Sequence, residues 1–431
     1  MTAEPDAGAE PDAGAEPDAG AEAGAGTQAG AGTQAGAGTQ AGAGTQAGGS
    51  GDGPDAQPLR VSTLELFFDL VFVFTITQLT GTLSRDLSPA AALPGGALRV
   101  LLIFGVLWWM YGGYAWLTNA RTPGRLPERL LMLMGMAGFL VIGLAIPDAF
   151  ARRGEAIALG LGYLLVVVVH GVLYLRVNRN ILRVVPFNGA SALLMLAAGL
   201  FGFAGGRPAL ACYLLWIAAF AVQALSPLVI HPHGRFSIQP AHFTERHGAL
   251  IIVVFGESVA DIGSGSAGHP VTVALVTQAI LGLALVAALW WAYFGVGDDE
   301  RAEAALRRAA PEVRPALALQ AYFYSYIPLL LGIVMLAAGV KRVIADAGAS
   351  LSWPASLALA GGVAVYLAGD AAFRHVLRIG TQYSRVAAAA AALAASAVGT
   401  ALSGTAEIAL LTVIVAAALA ADWYRAALAS K

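Results

Sequence analysis

The sequence predicts an all-α polytopic membrane protein with about 12 transmembrane helices, arranged as two parallel six-helix repeats behind a disordered N-terminal tail. Hydrophobic residues make up 58% of the 431-residue chain and charged residues 12%, whereas a soluble domain has about 25% charged residues. From Val61 onward, apolar runs of about 20 residues recur between short polar segments, and this length crosses a hydrocarbon core of about 30 Å. The composition excludes soluble enzymes and nucleic-acid-binding proteins.

Residues 1–57 differ from the rest of the chain because they are polar and repetitive. The hexapeptide EPDAGA occurs three times in residues 4–21, and AGAGTQ occurs four times in residues 23–46. The segment holds nine acidic residues and no Lys or Arg. Small and polar residues cannot bury a hydrophobic core, so we predict a disordered acidic tail.

The apolar runs are predicted to be helices because each is continuous, whereas the strands of a membrane barrel alternate apolar with polar residues. An even count of twelve places both termini on one side, and that side carries 18 of the 25 Lys and Arg residues. The positive-inside rule therefore predicts that both termini are cytoplasmic. The basic residues on the opposite side are Arg85, Arg99, Arg152, Arg153, Arg207, Lys341 and Arg342. The predicted spans are 62–80, 97–117, 129–149, 156–175, 184–204, 209–230, 248–264, 272–295, 316–340, 354–373, 384–402 and 406–424.

A shared motif indicates that the membrane part is duplicated. The second and eighth spans end in L-W-W-x-Y, at Leu107–Tyr111 and Leu289–Tyr293. These spans are six apart, which predicts two six-helix halves at 58–230 and 231–431, related by an axis along the membrane normal. The alternative is chance, because Trp and Tyr are common at every membrane interface. Duplication would make the first and seventh helices counterparts.

Both of these counterpart helices carry a pair of carboxylates inside an apolar run. The first span contains Glu65 and Asp69, and the seventh contains Glu257 and Asp261. Each pair is spaced i and i+4, so its two side chains lie on one helical face. An ionised side chain in the hydrocarbon core costs several kcal/mol unless it faces protein, water or a partner. This cost favours a functional role for the four residues.

Depth can be estimated by counting from the nearest cytoplasmic arginine. Asp69 is nine residues after Arg60 and Glu257 is eleven after Arg246, which places them about 13 and 16 Å deep, near the midplane. We expect Asp69 and Glu257 to face each other or a shared cavity, flanked by the other two carboxylates, and the four to bind a cation or a proton. Like charges in one site disfavour each other's ionisation, which suits exchange of a proton for an ion. The alternative is structural, with protonated acids bonded to hydroxyls on the same helices.

Histidines are concentrated where the sixth span leads into the seventh. Four of them fall within 17 residues together with a glutamate: His231, His233, His242, His247 and Glu245. No metal site is predicted, because His242, Glu245 and His247 do not have the H-E-x-x-H spacing of a helical zinc site. We expect a cytoplasmic gate or pH-sensitive salt-bridge cluster formed by His242, Glu245, Arg246 and His247, in which Arg246 pairs with a carboxylate such as Glu65. The alternative is a hydrophilic loop that caps the seventh helix.

Two segments resemble the signature segments of the bacterial low-temperature-requirement A family. They are STLELFFDLVFVFTITQLT at 62–80 and HFTERHGALIIVVFGESVADIG at 242–263, and the resemblance extends over residues 61 to about 425. It implies a multi-pass protein of the bacterial cytoplasmic membrane and no established chemistry. The residues that it marks are Glu65, Phe67, Phe68, Asp69, His242, Glu245, Arg246, His247, Gly256, Glu257 and Ser258.

The preferred function is a membrane transporter or channel, with cation or proton coupling at the carboxylates of helices 1 and 7. One alternative is an intramembrane enzyme that acts on a lipid, with His242, Glu245 and His247 as acid, base or metal ligands. Another is a non-catalytic membrane factor for low-temperature growth. No cofactor motif is present in the sequence. The predicted partners are the lipid bilayer and an inorganic cation or proton, not nucleic acid.

Overall fold

A computed structural model of the chain describes residues 60–87, 95–230, 237–295, 297–345 and 348–429. The predicted tail at 1–57 lies outside the described residues, and so do His231 and His233. The described chain is almost entirely α-helical. Its β-structure is a two-residue hairpin in which β1 (Phe203–Ala204) pairs antiparallel with β2 (Arg207–Pro208).

The helices follow one another with short connections. They are α1 (Thr63–Asp86), α2 (Gly96–Ala120), α3 (Leu126–Ala145), α4 (Arg153–Leu175), α5 (Val185–Phe201), α6 (Leu210–Ile230), α7 (Pro240–Gly265), α8 (Val273–Trp290), α9 (Asp298–Arg308), α10 (Arg314–Ala318), α11 (Tyr326–Ala345), α12 (Trp353–Leu377), α13 (Tyr383–Ala401) and α14 (Gly404–Ala429). A π-helical turn, Trp291–Gly295, extends α8, and a second, Leu319–Tyr324, joins α10 to α11. Short 3-10 segments follow α3 (Ile146–Asp148) and α4 (Arg179–Arg183).

The predicted all-α polytopic membrane fold is confirmed. Within the described residues, eleven helical segments are long and apolar enough to cross a bilayer. Each of the twelve predicted spans coincides with a helix, but α5, the fifth, has 17 residues and is shorter than the rest. The α9 helix lies between two spans and is amphipathic, with acidic residues in its first turn and Arg307 and Arg308 in its last. That charge distribution is favourable for the helix dipole.

Helix packing follows the same order in the two parts of the chain. The helices α3 to α6 pack in succession, as α11 to α14 do, and α1 lies against α3 as α7 lies against α11. Two tyrosines make matching hydrogen bonds: the Tyr163 hydroxyl donates to the Val106 carbonyl at 3.1 Å, and the Tyr366 hydroxyl donates to the Leu289 carbonyl at 3.0 Å. Related halves would produce this parallel, and the division into 58–230 and 231–431 stays a prediction.

Glycines allow the closest helix pairs to approach through their backbones. A Cβ atom on Gly138 would lie 3.0 Å from the Gly162 carbonyl oxygen, where α3 crosses α4. A Cβ atom on Gly332 would lie 2.7 Å from the Gly362 carbonyl oxygen, where α11 crosses α12. Small residues at such crossings are typical of membrane helices, because van der Waals packing replaces the hydrophobic effect as the driving force in lipid.

Candidate functional site

The Arg246 guanidinium on α7 joins both carboxylates of α1. Its Nη1 atom lies 3.0 Å from Glu65 Oε1, and its Nη2 atom lies 3.1 Å from Asp69 Oδ1. All three side chains are buried, with exposures of 1% or less. The i, i+4 spacing of the two acids presents both to one guanidinium, whose planar set of donors suits this arrangement. The contact between Arg246 and Glu65 agrees with the expectation from sequence, and the contact with Asp69 adds to it.

Glu65 also begins α1. Ser62 is the N-cap residue, and its side chain accepts a hydrogen bond from the Glu65 backbone. In return, Glu65 Oε2 accepts from the Ser62 backbone N–H and hydroxyl, each at 2.8 Å. This reciprocal capping box fixes the start of the helix. It also holds the Glu65 carboxylate in the position where Arg246 binds it.

Helix α2 encloses the guanidinium on a third side. The Thr118 hydroxyl accepts a hydrogen bond from Arg246 Nη1. The Arg246 Cζ atom lies 5.6 Å from the ring centroids of both Phe68 and Tyr111. At this distance an aromatic face attracts a cation, and the attraction is stronger when water is excluded. The cluster is therefore built from α1, α2 and α7 together.

His242 extends the cluster toward the start of α7. The Asn119 side-chain oxygen accepts from the Gln239 backbone N–H at 2.9 Å, which orients the amide so that its nitrogen donates to His242 Nδ1 at 3.2 Å. The other ring nitrogen, Nε2, is then the donor to Glu65 Oε1 at 3.1 Å. His242 is thus a fixed hydrogen-bond bridge between α2 and the Glu65 carboxylate.

Three polar atoms in this cluster have no hydrogen-bond partner among the described residues: Asp69 Oδ2, Arg246 Nε and the Tyr111 hydroxyl. With two carboxylates and one guanidinium, the group has a formal charge of −1 when both acids are ionised and His242 is neutral. The guanidinium is the cation that both carboxylates already bind. The arrangement suits a structural link that holds α1, α2 and α7 together.

Of the four residues predicted to form a gate or salt-bridge cluster at the start of α7, two lie in the Arg246 cluster. His242 and Arg246 are one turn apart and both join the cluster. Glu245 is exposed on another face, where its Oε2 atom lies 3.4 Å from the Val61 backbone nitrogen. His247 donates from Nδ1 to the Phe243 carbonyl at 2.8 Å, and its ring packs among aromatic side chains. A helix advances 100° per residue, so these side chains diverge. His242, Glu245 and His247 do not converge on one catalytic site.

Glu257 and Asp261 lie apart from this cluster. Glu257 is half-buried in a groove of about 450 Å³ between α1 and α7, and Thr77 lines the same groove. Asp261 Oδ1 lies 3.2 Å from the Lys341 ammonium nitrogen on α11. The expected pairing of Asp69 with Glu257 is therefore not found. Asp69 contacts Arg246, and Glu257 is eleven residues, about 16 Å, further along α7.

The depth estimate was wrong for a physical reason. The estimate treats Arg246 as an interfacial residue, but α7 begins at Pro240, six residues before it. Two carboxylates neutralise Arg246, so it is stable inside the protein about 9 Å along the helix. Glu257 is 17 residues, about 26 Å, from the start of α7, and it lies in the half of the helix that is distant from Arg246.

Sequence reasoning missed a second buried network, built from α9, α12, α13 and α14. Arg374 Nε donates to Asp298 Oδ2 at 2.6 Å, and Arg385 Nε donates to Asp370 Oδ2 at 2.7 Å. Asp422 links the two pairs, because its Oδ2 atom lies 3.2 Å from Arg374 and 3.0 Å from Arg385. The i, i+4 spacing of Asp370 and Arg374 predicts that they pair with each other, but tertiary contacts assign each a different partner. Arg385, two residues after the start of α13, is fully buried.

Comparison with known proteins supports the sequence-based resemblance. The family model described as bacterial low temperature requirement A protein (LtrA) matches residues 60–420. The chain is also similar to an uncharacterized protein of Rhizobium meliloti (strain 1021), with 28% identity over 337 residues. That similarity covers 76% of this chain and 80% of the relative. Both signature segments lie within the matched region, and so do the other residues that contact Arg246 and Asp261.

Proposed function

The chain belongs to the bacterial low temperature requirement A family, and we propose that it is a proton-coupled membrane transporter in which Glu257 takes up and releases the proton. The observation that carries this proposal is the position of Glu257. Its carboxyl group is half-buried in the groove between α1 and α7, inside a helix long and apolar enough to span a membrane. An ionisable residue at such a depth is expensive and indicates a functional site.

Glu257 differs from its three companions in having no ion pair with any described residue. Glu65 and Asp69 share Arg246, and Asp261 contacts Lys341. A carboxylate that is permanently paired with a cation cannot load and release a proton without breaking that pair. Glu257 has the Thr77 hydroxyl as its polar neighbour in the groove, so its charge can change without loss of an ion pair.

In this proposal the two neighbouring ion pairs act as gates. The Arg246 cluster fastens α7 to α1 and α2 on one side of Glu257, eleven residues away. The Asp261–Lys341 pair fastens α7 to α11 on the other side, four residues away. Alternating access requires a central site that is closed to one side at a time. Release of one pair while the other holds would open the Glu257 groove to one side of the membrane.

Glu257→Gln is expected to abolish proton movement in reconstituted liposomes. The measurement imposes a Na⁺ or K⁺ gradient and follows lumenal pH with a trapped dye. The rate should fall about a hundredfold or more, the lower end of what a positioned proton-transfer group contributes. Glu407→Gln is the matched control. Glu407 is a buried carboxyl in α14, with Ser356 as its hydrogen-bond partner and outside the groove, and its replacement should change the rate less than twofold.

Two results of this experiment would contradict the proposal. One is proton movement that is unchanged in Glu257→Gln. The other is ion flux in the wild type that is independent of the pH gradient, which would indicate a channel. Loss of flux in both variants would assign the effect to folding, and the melting measurements described below separate that outcome.

We also propose that the amino and carboxyl termini lie in the cytoplasm of a bacterial cell. The distribution of basic residues between the two sides of the predicted spans supports this orientation. A phosphatase reporter that is active only outside the cytoplasm should therefore be inactive when fused after Lys431. The same reporter inserted at Gly205, in the β1–β2 hairpin, should be active. Activity at Lys431 would show that the orientation or the count of spans is wrong.

A further inference from the structure

An amphipathic cavity beside α14 has no role in the transport proposal. It has a volume of about 760 Å³. It lies between the π-helical turn after α8, the connection from α12 to α13, and the last turns of α14. Trp291 and Trp423 are on its rim, 54% and 74% exposed. Indole side chains prefer the boundary between hydrocarbon and headgroups. The cavity is therefore placed at the level of lipid headgroups, on the membrane side where α14 ends.

The inner end of the cavity is basic. Arg301, Arg374 and Arg425 line it. One acidic residue, Asp422, also lines it, and its Oδ2 atom lies 3.2 Å from Arg374 Nη1. Two of the guanidinium groups converge at Gly380. A Cβ atom there would lie 3.6 Å from Arg374 Cζ and 3.7 Å from Arg301 Nη1. Because Gly380 has no side chain, the space in front of both groups stays open to an anion. Paired guanidinium groups suit the oxygens of a phosphate.

These guanidinium groups are held in place from behind. Asp298 contacts both, at 2.6 Å from Arg374 Nε and 2.9 Å from Arg301 Nη2. Backbone carbonyls hold them as well, Ile379 for Arg301 and Thr381 for Arg374, each at 2.9 Å. Asp298 is fully buried and does not line the cavity. A donor set that is already ordered loses little entropy when a ligand binds.

The other wall of the cavity is apolar. Leu419, Ala420 and Ala426 of α14 line it beside the two tryptophans. A soluble anion would gain nothing from that wall, whereas the glycerol and upper acyl carbons of a lipid would bury apolar area there. Basic pockets between membrane helices at the headgroup level bind anionic lipids. We propose that this cavity binds an anionic phospholipid, with its phosphate at Arg301 and Arg374 and its acyl chains along α14.

The test measures lipid binding to the purified full-length chain in detergent, by native mass spectrometry. Phosphatidylglycerol should bind at least tenfold more tightly than phosphatidylcholine. The double variant Arg301→Gln/Arg425→Gln should weaken phosphatidylglycerol binding about fivefold for each arginine removed. Arg308→Gln, which removes an exposed arginine outside the cavity, should not change it. Gly380→Asp should block lipid binding, because the new carboxylate would occupy the space in front of Arg301 and Arg374. Gly380 does not have a positive φ, so its backbone tolerates a side chain.

Equal binding of the two lipids would overturn the proposal, and so would an equal loss in Arg308→Gln. Tight binding of glycerol phosphate without acyl chains would overturn it too, because the site would then serve a soluble anion. Binding is measured without any flux, so its outcome is separate from that of the transport proposal. A double variant that lost lipid preference while retaining its melting temperature would exclude misfolding as the cause.

Discussion

Arg246→Gln is expected to lower the free energy of unfolding by about 3–5 kcal/mol. It leaves two fully buried carboxylates, Glu65 and Asp69, without their cation. His242 and Ser62 remain as partners of Glu65, but among the residues that the structure describes no second cation pairs with Asp69. Cys212 offers a direct readout, because it is the one cysteine of the sequence and is fully buried. A thiol-reactive dye should label it at a clearly lower temperature in the variant.

Replacing the two acids by amides as well distinguishes the effect of the unpaired charges from the effect of altered packing. The triple variant Arg246→Gln/Glu65→Gln/Asp69→Asn should recover most of the lost melting temperature, since no uncompensated charge remains. Arg246→Lys should recover part of it, because an ammonium group cannot reach two carboxylates as a planar guanidinium does. Arg129→Gln, at an exposed position, should stay within about 0.5 kcal/mol of the wild type. A stable Arg246→Gln would mean that the cluster does not depend on ion pairing.

Arg385→Gln is expected to lower the free energy of unfolding by about 3 kcal/mol, the lower end of the range for a broken buried pair. Arg385 and Asp370 are both fully buried, with 2.7 Å between Nε and Oδ2. The effect is smaller than at Arg246 because only Asp370 loses its main partner. Asp422 keeps Arg374 at 3.2 Å and the Ser384 hydroxyl at 2.5 Å. Labelling of Cys212 during heating measures this loss as well.

A charge-free pair is again the informative comparison. Asp370→Asn/Arg385→Gln should be more stable than Arg385→Gln alone, since an amide at position 370 is not charged. The network lies apart from the Glu257 groove, so this double variant should keep its proton movement in liposomes. Absence of recovery would show that Arg385 acts mainly through its bond to the Ala292 carbonyl, at 3.2 Å.

The candidate site was only partly predictable, because its residues come from three helices. The i, i+4 spacing of Glu65 and Asp69 on α1 is visible in the chain, and so is the charge of Arg246. The contributions of Thr118 and Asn119 were missed, although a polar pair at the end of an otherwise apolar helix was a usable signal. Sequence spacing specifies which side chains share a helix face but not which helix lies opposite.

Charge partners show the same limit. Asp261 pairs with Lys341, 80 residues away, and Asp370 pairs with Arg385 on the following helix instead of with Arg374 on its own. Asp370 and Arg374 are both buried, and each has its partner on another helix, Arg385 at 2.7 Å and Asp298 at 2.6 Å. Ion-pair attraction is strong at such short distances where water is excluded. Tertiary contacts therefore override local spacing wherever charges are buried.

The chain by itself determined that this is a helical membrane protein, where its spans lie and which few residues carry charge into them. Those properties follow from hydrophobicity, length and backbone hydrogen bonding, which act along one segment at a time. Only the tertiary structure decided that Arg246 neutralises the acids of α1 and that Glu257 lies in a groove without an ion pair to any residue that the structure describes. The free energy of a charged side chain in a membrane depends on the groups that pack against it, and those groups come from distant parts of the chain.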